Sequence, residues 1–126
     1  MARVEQVGVQ TFSVTALATV HAGTAPGANT NCFTPVSVGP NASVLRLTIC
    51  LTTGSKVDVR VTDGTTAYSQ TLNNNVAITA GCLYVFEWGA RAFSTQGGAT
   101  AITYSIRLQT DSIIQTLFLE EVAGVL

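Results

Sequence analysis

The chain has little charge. Asp, Glu, Lys and Arg make up 10% of its 126 residues, against about 25% in an ordinary soluble domain, and Lys56 is its single lysine. An isolated soluble monomer usually carries many surface charges, so this composition favours a subunit that packs among neighbours. A secreted or thermotolerant monomer with a Thr-rich surface is the alternative. The net charge is −1 and the basic residues are scattered, which argues against a nucleic-acid partner.

Long hydrophobic runs are also missing. Apolar residues make up 47% of the chain, yet no stretch approaches the roughly 20 consecutive apolar residues that a membrane helix needs. The N-terminal sequence MARVEQVGVQTF has polar and charged residues where a signal peptide would have its apolar core. We therefore expect a soluble protein with no membrane partner, and export through a signal peptide is not indicated.

The residues of common catalytic and metal sites are scarce. His21 is the single histidine, whereas a cupin-type jelly-roll enzyme needs a cluster of metal-binding histidines. The motifs GxSxG, HExxH, GxxxxGK[ST] and GxGxxG do not occur. Glu120 and Glu121 are adjacent, so in a strand they point to opposite faces and cannot form a two-carboxylate site by themselves. The sequence predicts no catalytic residue, no metal, no cofactor and no enzymatic activity.

The three cysteines, Cys32, Cys50 and Cys82, include no CxxC pair and cannot all pair within one chain. Free buried thiols in a reducing cytoplasm are the simplest interpretation, with Cys50 and Cys82 as small core residues. A bridge between Cys50 and Cys82 on facing sheets stays open, because geometry decides it and sequence does not.

Apolar residues that alternate with a period of two run through most of the chain and predict β-strands. Four such sets share one strand face each: Leu45, Leu47, Ile49 and Leu51; Val57, Val59 and Val61; Cys82, Tyr84, Phe86 and Trp88; Ile102, Tyr104, Ile106 and Leu108. A partial alternation over residues 4–21 predicts a first strand, and short strands are expected near residues 33–38 and 76–79.

The turn signals complete the fold prediction. Asp63-Gly64 suits a two-residue type I′ hairpin, which would set Val59 opposite Tyr68 and Val61 opposite Thr66. Residues 112–122 fit a helix or a strand, and their β-branched content favours a strand. We expect an all-β chain with about eight strands, forming an antiparallel β-sandwich of jelly-roll or Greek-key type. The prediction is one domain over residues 1–126, with residues 1–12 as a candidate extended arm.

Glu87 lies in the aromatic strand LYVFEW, on the face of Leu83 and Val85. A carboxylate that is buried or in an interface needs a partner. Arg91 or Arg107 is expected to supply it, so we interpret Glu87 as a structural residue and not as a general acid.

The C-terminal half resembles capsid decoration, or cement, proteins of tailed bacteriophages. The likeness rests on a short strand, Ala80-Gly81, the strand LYVFEW, a Gly-containing loop, the strand TYSIRL and a terminal segment with EEV. It implies a β-sandwich without a catalytic site, folded in the host bacterial cytoplasm and bound to the exterior of the virion. It further implies a homo-oligomer, with a trimer favoured, and the major capsid protein as partner.

On this reading the candidate partner contacts are residues of the N-terminal segment and of the long loop after LYVFEW. The N-terminal segment would lie on the capsid as an arm or add a strand to a neighbour; an ordinary first core strand is the equal alternative. The candidates are Val4, Val7, Val9, Phe12 and Phe93.

A tail, fibre or adhesin module that recognises a surface glycan or protein is the alternative function. Such a module would expose an aromatic side chain beside polar loops, and Tyr68 and Trp88 are the candidates. A buried Trp88 would weaken this alternative.

Overall fold

The described part of the chain contains eight strands and one short turn of 3-10 helix. The computed structural model describes residues 11–38, 44–62, 66–90 and 102–125. The predicted all-β class is confirmed. The 3-10 turn covers Asn73–Asn75, and the strands are β1 (Thr11–Val20), β2 (Val36–Ser37), β3 (Val44–Leu51), β4 (Val57–Thr62), β5 (Ala67–Thr71), β6 (Tyr84–Gly89), β7 (Thr103–Leu108) and β8 (Ile114–Val125).

The strands form two antiparallel four-stranded sheets that pack face to face. Sheet A has the order β1-β8-β3-β6 and sheet B the order β2-β7-β4-β5. Neighbouring strands in each sheet are mostly distant in sequence, because the chain crosses repeatedly between the two sheets. This strand order is that of a jelly roll, which consists of two Greek keys. The predicted β-sandwich is therefore confirmed.

The core lies between the sheets and is built from the predicted alternating positions. In β3 the side chains of Leu45, Leu47, Ile49 and Leu51 are fully buried. Val57, Val59 and Val61 of β4 face them from sheet B, with Tyr104, Ile106 and Leu108 of β7. Each buried side chain of this size contributes roughly 1.5–3 kcal/mol, so the sandwich needs no disulfide or metal to fold.

Residues 112–122, whose sequence fits either a helix or a strand, lie mainly in the long strand β8. It pairs with β1 on one side and with β3 on the other, and Ile114, Leu117 and Leu119 are buried. A central strand satisfies its backbone groups on both edges, and β-branched residues suit that position. The preference for a strand is confirmed.

A β-bulge divides β1 into two parts, and the even-numbered side chains of the two parts point to opposite faces of sheet A. The pairing register with β8 shifts between Ala16 and Ala18, so the extra residue, Leu17, reverses the side-chain alternation. Ala18 and Val20 pack toward the core, whereas Val14 is 52% exposed. Phe12 belongs to β1 and pairs with Gly124; residues 1–10 lie outside the described residues, so the proposed arm stays a prediction.

The predicted hairpin register is wrong. Val61 pairs with Tyr68 and Val59 with Gln70, which leaves a four-residue connection between Thr62 and Ala67 where a two-residue turn was predicted. Asp63 and Gly64 lie outside the described residues. The expected strand at 76–79 is also wrong, since Ile78 makes a single bridge to Ser55.

No helix in the described parts of the chain is long and apolar enough to cross a membrane.

Candidate functional site

The outward side of sheet A carries an exposed apolar surface. Residues that pair across antiparallel strands share a face, and Thr48 of β3 pairs with both Phe118 and Val85. The side chain of Phe118 is 43% exposed and that of Val85 is 55% exposed. We call this surface the apolar outer face; its apolar members are Val14, Val44, Val85, Phe118 and Val122.

A row of charges crosses the middle of the apolar outer face. Arg46 pairs with Glu120 on one side and Glu87 on the other. Its Nε lies 3.2 Å from Glu120 Oε1, and its Nη1 lies 3.9 Å from Glu87 Oε2. Among the described residues this row has one cation between two carboxylates, and the contact with Glu87 is the longer one. Apolar residues lie on both sides of this row, with Val14 and Val122 on one side and Phe118 and Val85 on the other.

Arg107, one of the two partners predicted for Glu87, does not pair with it within the subunit, and Arg91 stays a prediction. Arg107 lies in sheet B, where its Nε donates to Asn31 Oδ1 at 2.8 Å, and Arg91 is outside the described residues. The cross-strand neighbour Arg46 takes the role. The structural interpretation of Glu87 agrees with this position, because an ion pair between adjacent strands fixes both side chains on the face.

The outward side of sheet B is polar by contrast. Across β5, β4 and β7 the paired residues run Thr71, Asp58 and Arg107 in one row and Ser69, Arg60 and Ser105 in the next. Asp58 accepts hydrogen bonds from Thr71 Oγ1 at 2.7 Å and from Gln109 Nε2 at 2.9 Å. The two faces of the sandwich thus differ in chemistry, and among the described strands sheet A carries several exposed apolar side chains on its outward side.

The structure describes little of the predicted contact set. Val4, Val7, Val9 and Phe93 lie outside the described residues, and Phe12 is a strand residue of β1. The apolar outer face was not among the predicted contacts. A usable signal was present, however: Val44, Val85 and Phe118 are apolar residues at strand positions that alternate with the buried ones.

The described residues show no cluster of metal-binding side chains. No group of three or more His, Cys, Asp or Glu side chains that could hold a metal occurs in the described ranges. His21 is exposed just after β1, and Asp111 accepts a hydrogen bond from the backbone N–H of Ala28 at 2.7 Å. The contact of Asp111 joins the loop at Ala28 to the segment before β8.

The cysteines are free, and they occupy three different environments. Cys32 belongs to the core, and burial raises its pKa to about 11. Cys50 is buried on the outward side of β3, where its Sγ donates to Gln115 Oε1 at 3.1 Å. Cys82 is exposed, so its predicted place in the core is wrong. It precedes the first paired residue of β6, Tyr84, and the sandwich does not cover it.

Thiol labelling should therefore be selective. At pH 8 we expect a water-soluble maleimide to modify Cys82 within minutes, because the thiolate is the reactive form and Cys82 is accessible. Cys32 should react only on unfolding, since its high pKa leaves about one part in a thousand as thiolate. Mass spectrometry before and after denaturation counts the labels. Cys82→Ser should abolish the fast label, and rapid labelling of Cys32 in the native protein would contradict the structure.

The two aromatic candidates for ligand stacking differ in exposure. Trp88 packs its ring against the core, with its centroid 6.2 Å from that of Tyr104. Tyr68 in β5 is 45% exposed. Tyr68 is the more exposed of the two, so stacking on Trp88 is disfavoured.

Comparison with protein families and with curated proteins found no similar protein. No family model matches the chain, and no curated protein is significantly similar to it in sequence.

Proposed function

We propose that the chain is a non-enzymatic structural protein of the virion that binds an assembled bacteriophage capsid and stabilises it as a decoration, or cement, protein. The observation that carries the proposal is the apolar outer face of sheet A. Single exposed apolar side chains are ordinary on protein surfaces, whereas several on one sheet face are typical of an interaction surface. The likeness of the C-terminal half to cement proteins supports the same reading.

The face also indicates the chemistry of its partner. Val14, Val85 and Phe118 require apolar side chains opposite them, because burial of apolar area drives such association. A basic group on the partner would pair well with Glu87, because its side chain is 57% exposed and its contact with Arg46 is the longer of the two. On this proposal the partner is the outer surface of the major capsid protein, with apolar residues around a Lys or Arg.

Stabilisation would follow from mass action. A protein that binds the assembled shell and not its free subunits favours assembly in proportion to its concentration and affinity. If the chain forms a homotrimer, as the resemblance implies, three linked copies of the face raise the effective concentration of the second and third contacts once the first has formed. The low charge of the chain suits a subunit with much of its surface in contacts.

The experiment is quantitative mass spectrometry of native source material after sedimentation. We expect the chain to travel with virus-sized particles at a copy number comparable with that of the main shell subunit. A few copies per particle would favour the tail or fibre alternative, in which the module recognises a surface glycan or protein. If the chain stays wholly in the supernatant, the virion proposal fails.

A further inference from the structure

A polar concavity lies in sheet B, on the other sheet from the apolar outer face. It has a volume of about 460 Å³ and is lined by Ser69, Gln70, Thr71, Asn74 and Asn75. All five side chains are uncharged and can hydrogen-bond, and three of them are amides. The concavity forms where the edge strand β5 ends and the 3-10 turn follows.

The wall made by the turn is held in an unusual backbone conformation. Asn73, Asn74 and Asn75 have φ angles of 57°, 54° and 64°, and a run of left-handed residues is unfavourable for side chains other than Gly, Asn and Asp. Hydrogen bonds hold the turn: Leu72 N–H donates to Val57 O at 2.9 Å, and Val76 N–H donates to Asn73 O at 3.0 Å. The amides of Asn74 and Asn75 are thus presented from a constrained backbone.

The other wall is ordered by side-chain contacts. Thr71 Oγ1 donates to Asp58 Oδ1 at 2.7 Å, and Gln109 Nε2 bridges Asp58 and Thr71 at 2.9 Å and 3.3 Å. By contrast, the side chains of Ser69, Asn74 and Asn75 have no hydrogen-bond partner among the described residues. The concavity therefore combines fixed walls with hydrogen-bonding groups that water or a ligand must satisfy.

We propose that this concavity, formed by Ser69, Gln70, Asn74 and Asn75, is a binding site for a neutral carbohydrate. Each sugar hydroxyl both donates and accepts a hydrogen bond, and an amide offers both functions in one plane. Among the described residues no charged side chain lines the concavity, and the carboxylate of Asp58 beside Thr71 disfavours an anion.

This inference goes beyond the proposed function and does not depend on it. The concavity is in sheet B, so it remains accessible when a shell covers the outer face of sheet A. If the chain binds no sugar, the proposed capsid binding is unaffected. If the chain does not bind capsids, the proposed sugar site is unaffected.

The test uses the side-chain amide signals of the full chain in ¹⁵N–¹H NMR spectra. The probes are glucose, galactose, mannose, rhamnose and N-acetylglucosamine, each with its short oligosaccharides, and N-acetylneuraminic acid as a charged comparison. We expect at least one neutral sugar to shift the amide signals of Gln70, Asn74 and Asn75 in a saturable way, with a Kd on the order of millimolar.

The turn offers a matched set of variants. Asn74→Gly and Asn75→Gly remove one amide each and keep the left-handed backbone, because glycine adopts it without strain. Asn73→Gly makes the same change in the same turn, but Asn73 does not line the concavity and its amide donates to Val76 O at 3.2 Å. We expect the first two variants to weaken binding about tenfold and the third to change it less than about twofold.

Three results would overturn the inference. The first is that no neutral sugar shifts the three amide signals. The second is that N-acetylneuraminic acid binds more tightly than every neutral sugar. The third is that Asn73→Gly weakens binding as much as Asn75→Gly, since the turn as a whole and not the lining amides would then be responsible.

Discussion

Replacement of Leu47 by alanine should lower the free energy of unfolding by about 3 kcal/mol, within a range of about 2–5 kcal/mol. Leu47 is fully buried near the middle of β3, between Phe86 of β6 and Leu119 of β8. Truncation removes apolar contacts and leaves a cavity that sheet A cannot close, because strand pairing on both sides holds the backbone in place. For a chain of this size the loss is a large fraction of total stability.

Leu83→Ala is the matched control, with the same chemical change at a residue that is 63% exposed. We expect it to alter the free energy of unfolding by less than about 0.5 kcal/mol. Urea denaturation of the wild type and both variants, followed by tryptophan fluorescence of Trp88, measures the difference. Equal effects at the two leucines would contradict the core described for sheet A.

Val85→Asp should weaken binding to capsid shells by about a hundredfold or more. Val85 is 55% exposed on the apolar outer face, so the free subunit should tolerate the change. In the complex a new carboxylate would be taken out of water opposite apolar groups, and it would lie on the same strand face as Glu87. Rebinding of purified protein to particles that have been stripped of it, followed by sedimentation, gives the affinity.

The control for this variant is Ala67→Asp. Ala67 is also exposed on an edge strand, but it lies in β5 of sheet B. We expect shell binding by Ala67→Asp within about twofold of the wild type. If the two aspartates weaken binding equally, or if neither does, the apolar outer face is not the docking surface.

The strand faces could be predicted from the sequence because the period of two is a local property. The buried sets in β3, β4 and β7 lie where alternation places them. The hairpin register could not be predicted in the same way. Moving β5 by two residues relative to β4 keeps every side chain on the same face of the sheet. The alternation therefore does not distinguish a register with Val59 opposite Tyr68 from one with Val59 opposite Gln70. The observed register also depends on the connection, which local turn chemistry alone does not determine.

The candidate site depended on information that is not local. Arg46 becomes the partner of Glu87 and Glu120 only because β3 lies between β6 and β8 in sheet A, an order that no short segment encodes. The exposure of Val14 results from a bulge at Leu17, and that irregularity has no signature in the alternation of β1. The apolar outer face is thus a property of the assembled sheet.

The most direct test of the account compares two aromatic rings of nearly equal exposure on the two sheets. Phe118 on the apolar outer face is 43% exposed, and Tyr68 in sheet B is 45% exposed. Hydroxyl-radical footprinting with mass spectrometry should be done on the free protein and on the protein bound to particles. We predict that binding lowers oxidation of Phe118 several-fold and leaves Tyr68 unchanged. Protection of Tyr68 with Phe118 unchanged would contradict docking through sheet A.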